Sequence, residues 1–249
     1  QCDALDGLED GMVENVARCD FQPEKLVCAQ GEGESCISVE LADALSQGFA
    51  GPYDTAGYPI YVPVPFDTGI VALQGGYLPN GMPGPLGPPN LATSIDLEKE
   101  VREVRANPWQ RLTDTNHWTN LNTFLDRGGK MLFYHGVSDF WFSPWATWEY
   151  YERAAETNGP AFTDASRFYM VPGMMHCRGG NAFDQFDLLS ALVDWVERDK
   201  QPEEIVAHRP DTRSETRPLC PYPSYAAYVG GDPTKADSFA CKEPAKSGV

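Results

Sequence analysis

KMLFYHG, residues 130–136, and RFYMVPG, residues 167–173, decide the fold. Each is a short apolar run closed by glycine, which reads as a buried strand. Between them Ser143 and Pro144 give an N-cap followed by proline at the first helical position. The helix they open, WATWEYYERAAETN, stops at Gly159. After the second run a helix is predicted over 183–198, with Phe186, Leu189, Val193 and Val196 facing inward. Strand, loop, helix, strand, loop, helix is the rhythm of a parallel α/β sheet. In such sheets chemistry collects in the loops beyond the carboxyl ends of the strands.

Two polar residues stand in those loops. Asp139 follows the first strand in HGVSD, and His176 follows the second in PGMMHC. Consecutive parallel strands bring both loops to one edge of the sheet. A carboxylate there can hold an imidazole in one tautomer and stabilise its protonated form. The order Asp then His matches the last two members of the Ser, Asp, His series of α/β-hydrolases. The competing reading is ordinary loop polarity, since Asp is common in turns and a single His is often structural. No G-x-S-x-G elbow occurs, and neither Ser138 nor Ser143 has flanking glycines. The missing nucleophile is therefore expected before residue 1. His117 and His135 have no evident partner and read as structural, as do Trp141 and Trp145.

Further from the strands the chain changes character. Residues 38–48 form a predicted helix with Leu41, Ala44 and Leu45 on one face, and IDLEKEVREVRA (95–106) a charged surface helix. Between them the Gly/Pro-dense stretch 51–92 cannot hold long regular elements. It reads as ordered irregular structure or a lid. The expected division is 1–115 as part of a lid domain and 116–249 as part of an α/β domain.

The chain has 249 residues, of which 42% are hydrophobic. That is enough for one large domain or two small ones with a sizeable core. Thirty-six acidic residues against 19 basic ones leave a formal charge of −17. Such a surface repels phosphate backbones and anionic membranes, which argues against nucleic-acid or membrane partners. No apolar run is long enough to predict a transmembrane helix. The chain starts at Gln1 without a signal peptide, and its seven cysteines are an odd number. Both features suggest sequence upstream.

Loop-rich surroundings and the lack of zinc-finger spacing favour disulfides, and hence a secreted or periplasmic location. Neighbour pairing gives Cys2–Cys19, Cys28–Cys36 and Cys220–Cys241, the first-ranked of many connectivities. Cys177 is left over, either as a buried free thiol or as half of a bridge to a cysteine outside the sequence. CDALDGLEDGM (2–12) crowds Asp3, Asp6 and Asp10 into one loop with two Asp-Gly turns. These carboxylates repel one another unless a hard cation such as Ca²⁺ neutralises them; the alternative is a solvated acidic turn. The spacing is not that of an EF-hand.

CDALDGLEDGMV, FYHGVSD and VPGMMHC together resemble the tannase and feruloyl esterase family of α/β-hydrolases, over nearly the whole chain. The resemblance implies the C-terminal part of a hydrolase sheet with an inserted, Pro/Gly-rich lid. By position it implies Asp139 and His176 as catalytic residues. It implies a structural calcium held by the side chains of Asp3, Asp6 and Asp10 and the carbonyls of Leu8 and Met12. It also implies that Cys177 bonds a cysteine just before the catalytic serine, in a missing N-terminal half that is disulfide-linked to this one. The three neighbour disulfides match the family's short-loop bridges. The implied substrates are small esters of aromatic acids, and Phe142 is a candidate wall for the acyl group. The serine and the oxyanion-hole backbone are absent, so the chain alone is expected to be inactive. Two other readings remain: a calcium-stabilised secreted binding module, which would not need a paired Asp139 and His176, and a metal-dependent hydrolase, for which His176 has no partner ligands at matching spacing.

Overall fold

The computed structural model describes residues 1–29, 33, 35–69, 96–139 and 141–245. The stretch GYLPNGMPGPLGPPN, read above as part of an irregular lid, lies outside them. In chain order the elements are α1 (Val39–Ala50), α2 (Leu97–Ala106), α3 (Pro108–Thr113), α4 (Asn122–Leu125), β1 (Met131–Gly136), α5 (Pro144–Asn158), α6 (Pro160–Thr163), β2 (Ser166–Val171) and α7 (Leu188–Arg198). Four short strands follow: β3 (Ile205–His208), β4 (Thr216–Leu219), β5 (Tyr225–Tyr228) and β6 (Phe239–Lys242).

β1 and β2 pair in parallel, from Met131 opposite Ser166 to Gly136 opposite Val171. The crossover between them is α5, and its start is set locally: Ser143 Oγ accepts from the Trp145 amide at 3.2 Å, with Pro144 in the first turn. β2 carries the buried centre, with Phe168, Tyr169 and Val171 fully excluded from water. On one side Phe168 packs with Tyr151, Ala154 and Phe162, and Phe133 of β1 meets Tyr151 edge-on at 5.6 Å. On the other, Tyr169 and Val171 pack with Met12, Met174, Phe183, Ile205, Ala207 and Leu219. Burying each large side chain contributes about 1.5–3 kcal/mol.

The structure corrects the inward face of α7. In α7 it is Trp195 that is buried, at 2% exposure, with Leu188 and Ala191 packed against the core. Leu189 and Val196 are exposed, and Val193 is exposed too. The helix starts at Leu188, capped by Asp187 Oδ1 accepting from the Ser190 amide at 2.8 Å, so Phe186 packs into the core from before it. The large indole then sets the phase. In α1, Ala42 is the buried residue and Leu41 is exposed. Between α3 and β1 the chain forms a 3₁₀ turn at Thr115–His117 and the four-residue α4.

The division of the chain is not linear. One compact unit comprises Gln1–Phe21, Pro65–Ala72 and Asn120–Val249, and the other Gln22–Val64 and Leu73–Thr119. The acidic loop thus packs with the sheet instead of within a 1–115 block. Met12 enters the main core, while Cys2, Val13 and Val16 pack on Val137 just beyond β1. In the second unit, α2 and α3 are capped by Asp96 and Asn107, whose side chains accept from the amides of Lys99 and Trp109. Ile37 and Val27 bridge beside the Cys28–Cys36 disulfide.

Beyond α7, β3 and β4 form one antiparallel pair and β5 and β6 another. Cys220, which follows β4, is bonded to Cys241 of β6, and Cys2 to Cys19. Among the described residues, no helix is long and apolar enough to cross a membrane.

Candidate active site

The loops after β1 and β2 touch because glycine lets them. A Cβ on Gly136 would stand 2.4 Å from the Met174 carbonyl oxygen and 2.5 Å from that of Met175. Without one, the Val137 amide donates to Val171 and the Ser138 amide to Met174, both at 2.9 Å. This interlock brings Asp139 and His176 together: Asp139 Oδ2 lies 2.7 Å from His176 Nδ1.

Asp139 is 3% exposed and fully engaged. Its Oδ1 accepts from the amides of Trp141 and Phe142 at 2.9 and 3.1 Å, which folds the turn around it. Burial alone would raise its pKa. The hydrogen bonds from His135, His176 and the two amides outweigh burial and hold it down at about 2. Asp139 is therefore a carboxylate, and His176 donates to it through Nδ1–H. The lone pair of His176 is left on Nε2, in a side chain about one-third exposed.

His135 is the residue the sequence reading missed. Its Nε2 is 2.9 Å from the Phe142 carbonyl oxygen and 3.4 Å from Asp139 Oδ2, and its Nδ1 is 2.7 Å from Thr147 Oγ1. A carbonyl can only accept, so the network assigns the proton to Nε2 and lets Nδ1 accept from the Thr147 hydroxyl. The only sequence signal was its place four residues before Asp139.

Aromatic rings flank the imidazole of His176. Trp141, expected to be structural, lies 4.7 Å from it between centroids, and Phe142 lies 5.5 Å away. Phe142 is half exposed. Trp145 does pack structurally, against Val137 and the Cys2 region. His117 is exposed beside Asp114. Cys177 is a free, exposed thiol with φ of +63°, a backbone conformation that costs a non-glycine residue about 1 kcal/mol or more.

The acidic loop is organised by its own backbone. Asp3 Oδ1 accepts from the amides of Asp10 and Gly11, Asp6 Oδ1 from Leu8, and Asp10 Oδ1 from Met12. Asp10 Oδ2 is paired with Arg217 at 2.7 Å. That buried guanidinium stacks over Phe239 at 3.7 Å, and its Nε is 3.6 Å from Glu14. Asp6 Oδ2 is buried without a partner among the described residues. The loop's donors are all oxygens, which suits a hard cation in chemistry, and Asp6 Oδ2 offers it an unsatisfied ligand. Among the described residues, no group of three or more His, Cys, Asp or Glu side chains is arranged to hold a metal.

The family model for tannase and feruloyl esterase matches residues 85–242. The chain belongs to the tannase and feruloyl esterase family. It is 34% identical, over 98% of its length, to a mono(2-hydroxyethyl) terephthalate hydrolase from Piscinibacter sakaiensis, and 29% identical, over 96%, to a probable feruloyl esterase from Arthroderma benhamiae. It spans 50% of each of these relatives. An esterase from Aspergillus oryzae superposes with a TM-score of 0.77 at 26% identity, covering 97% of this chain and 54% of that one. Feruloyl esterase B from the same organism superposes with a TM-score of 0.74 at 24% identity, with the same coverage. The fold is accordingly the α/β-hydrolase type of this family. An Asp-held imidazole with a free Nε2, beside aromatic rings and at the ends of parallel strands, can take a proton from a nucleophile and return it to a leaving group.

Proposed function

We propose that this chain supplies the base and its orienting carboxylate to a serine carboxylic ester hydrolase acting on esters of aromatic acids. The observation that carries the reading is the 2.7 Å contact between Asp139 Oδ2 and His176 Nδ1. Each member comes from the loop after one of two paired parallel strands. His176 Nε2 takes the proton from a serine hydroxyl as it attacks the ester carbonyl, then protonates the departing alcohol. Asp139 holds the ring in the Nδ1–H tautomer and stabilises the imidazolium. The exposed ring of Phe142 forms a wall for the aromatic acyl group.

The serine belongs to a segment outside this sequence, and the chain spans half the length of its relatives. Cys177, adjacent to His176 and free in this chain, is the attachment point for a disulfide to that segment. The acidic loop takes a structural calcium through Asp3, Asp6 and Asp10 and the carbonyls of Leu8 and Met12. The ion neutralises the carboxylates and has no part in proton transfer. Three disulfides suit a secreted or periplasmic protein.

The test is aromatic-ester hydrolysis by the protein with its serine-bearing segment restored. His176→Ala should lower kcat by about 10³-fold or more. A folded His176→Ala protein with near-full activity would overturn the reading.

A further inference from the structure

Asp67 is buried, with its side chain among residues distant in sequence. One of its oxygens, Oδ2, accepts from Ser138 Oγ and from the Gly173 amide, both at 2.7 Å. Ser138 is fully buried and immediately precedes Asp139. Gly173 lies three residues before His176, in the loop after β2. The same oxygen therefore ties the two loops that carry the dyad.

A second observation shows how closely this strap is seated. A Cβ on Gly69 would lie 2.1 Å from the Gly173 carbonyl oxygen and 2.5 Å from Ser138 Oγ. Gly69 thus presses its backbone against the same two residues that Asp67 grips. Gly173 has φ of +70°, and a Cβ there would stand 1.9 Å from the Asn181 carbonyl oxygen, so that loop has little room to adjust.

The carboxylate is a poor choice for stability alone. Its Oδ1 is buried without a partner among the described residues. Leaving a buried polar atom unsatisfied opposes folding. Burial raises the pKa of Asp67, and the donors from Ser138 and Gly173 act against that rise.

We propose that Asp67 is a positioning residue, whose Oδ2 pins the Ser138 and Gly173 loops and so fixes the alignment of Asp139 with His176. The proposal rests on the hydrolase reading, since it assigns Asp67 a role through that dyad. In this role Asp67 acts through the two loops that its Oδ2 joins.

The test separates alignment from activity. In the intact protein, the hydrogen bond between His176 Nδ1–H and Asp139 should give a far-downfield proton resonance. Asp67→Ala should broaden or abolish it with the fold intact by circular dichroism. Aromatic-ester kcat should fall by about 10²-fold, with KM little changed, as expected of a small misplacement of catalytic groups. Asp67→Asn, which can still accept from Gly173 and meet the Ser138 hydroxyl, should keep the resonance. If Asp67→Ala does not fold, Gly69→Ala pushes the strap off the loops by steric contact and should cause the same loss. Retention of an unaltered resonance in the folded Asp67→Ala or Gly69→Ala protein overturns the proposal, whatever the activity. A wild-type protein without the resonance overturns the dyad and this proposal together. A wild-type protein with the resonance but no ester hydrolysis overturns the hydrolase reading alone.

Discussion

His135 Nε2 stands 3.4 Å from Asp139 Oδ2, so the carboxylate that holds His176 is shared by two imidazoles. His135 also holds the Phe142 carbonyl, and so joins the carboxylate, the turn that carries Phe142 and α5 through Thr147. Replacing His135 with alanine leaves these groups short of a donor or partner in a mostly buried setting. Such a loss costs about 1–3 kcal/mol. In the protein with its serine-bearing segment restored, the expected outcome for His135→Ala is a lower melting temperature and about a tenfold lower kcat, as the turn that carries Asp139 loosens. Wild-type melting and kcat in that variant would remove His135 from the site.

The acid stability of the protein should carry the mark of Asp139. Its pKa falls from 3.8 to about 2 in the folded state. A depressed carboxylate stabilises the fold above its unfolded pKa, and that contribution is lost as pH falls through the folded value. The shift corresponds to about 2 kcal/mol. Urea unfolding of wild type and Asp139→Asn should differ most at pH 5 and above, with the gap closing between pH 4 and pH 2. A gap that is flat across this window would contradict the charged, fully hydrogen-bonded Asp139.

Much of this site was legible in the sequence because its determinants are local. Short apolar runs closed by glycine specify β1 and β2, and Ser143 with Pro144 fixes where α5 begins. Parallel pairing of the two strands then places Asp139 and His176 at one edge. What could not be read depends on contacts distant in sequence. Asp67 reaches Ser138 and Gly173 across 71 and 106 residues, and PFDTG carries no pattern that announces it. Arg217 is buried against Asp10 and Phe239 for the same kind of reason. The α7 face was misread because Leu189, Val193 and Val196 make an apolar stripe at helical spacing, while the core is filled by Trp195 one face away. A linear division into 1–115 and 116–249 does not anticipate that Gln1–Phe21 and Pro65–Ala72 group with Asn120–Val249 in one compact unit.

The acidic loop yields a prediction through ligand linkage. A cation that binds only the folded state at about 100 times its Kd adds about 2.7 kcal/mol. For a chain of this size its removal should lower the melting temperature by about 5–10 °C. Excess chelator should produce that drop in wild type, and added Ca²⁺ should reverse it. Asp6→Asn should abolish the response, because it removes the charge from the buried carboxylate whose Oδ2 has no other partner among the described residues. The Asp10–Arg217 pair, which the Asp6→Asn change does not touch, should keep the loop folded in that variant. An identical melting curve with and without chelator would exclude the calcium site.

The three disulfides should not contribute equally. They span 17, 8 and 21 residues for Cys2–Cys19, Cys28–Cys36 and Cys220–Cys241. Cross-linking removes loop entropy from the unfolded chain, and the gain rises with loop length, reaching about 3 kcal/mol for a loop of about 15 residues. Packing points in the same direction. Cys2 and Cys220 are buried and belong to apolar clusters, while Cys28 and Cys36 are only partly buried. Paired Cys→Ala substitutions should therefore cost most at Cys220–Cys241 and Cys2–Cys19, each about 2–4 kcal/mol, and least at Cys28–Cys36. Loss of Cys2–Cys19 should also reach the dyad, because Cys2 and Val13 pack directly on Val137, two residues before Asp139. Urea unfolding of the three double variants, with the His176 resonance followed in each, would check both halves. A Cys28–Cys36 deletion as costly as the other two would show that loop entropy and burial do not set the order.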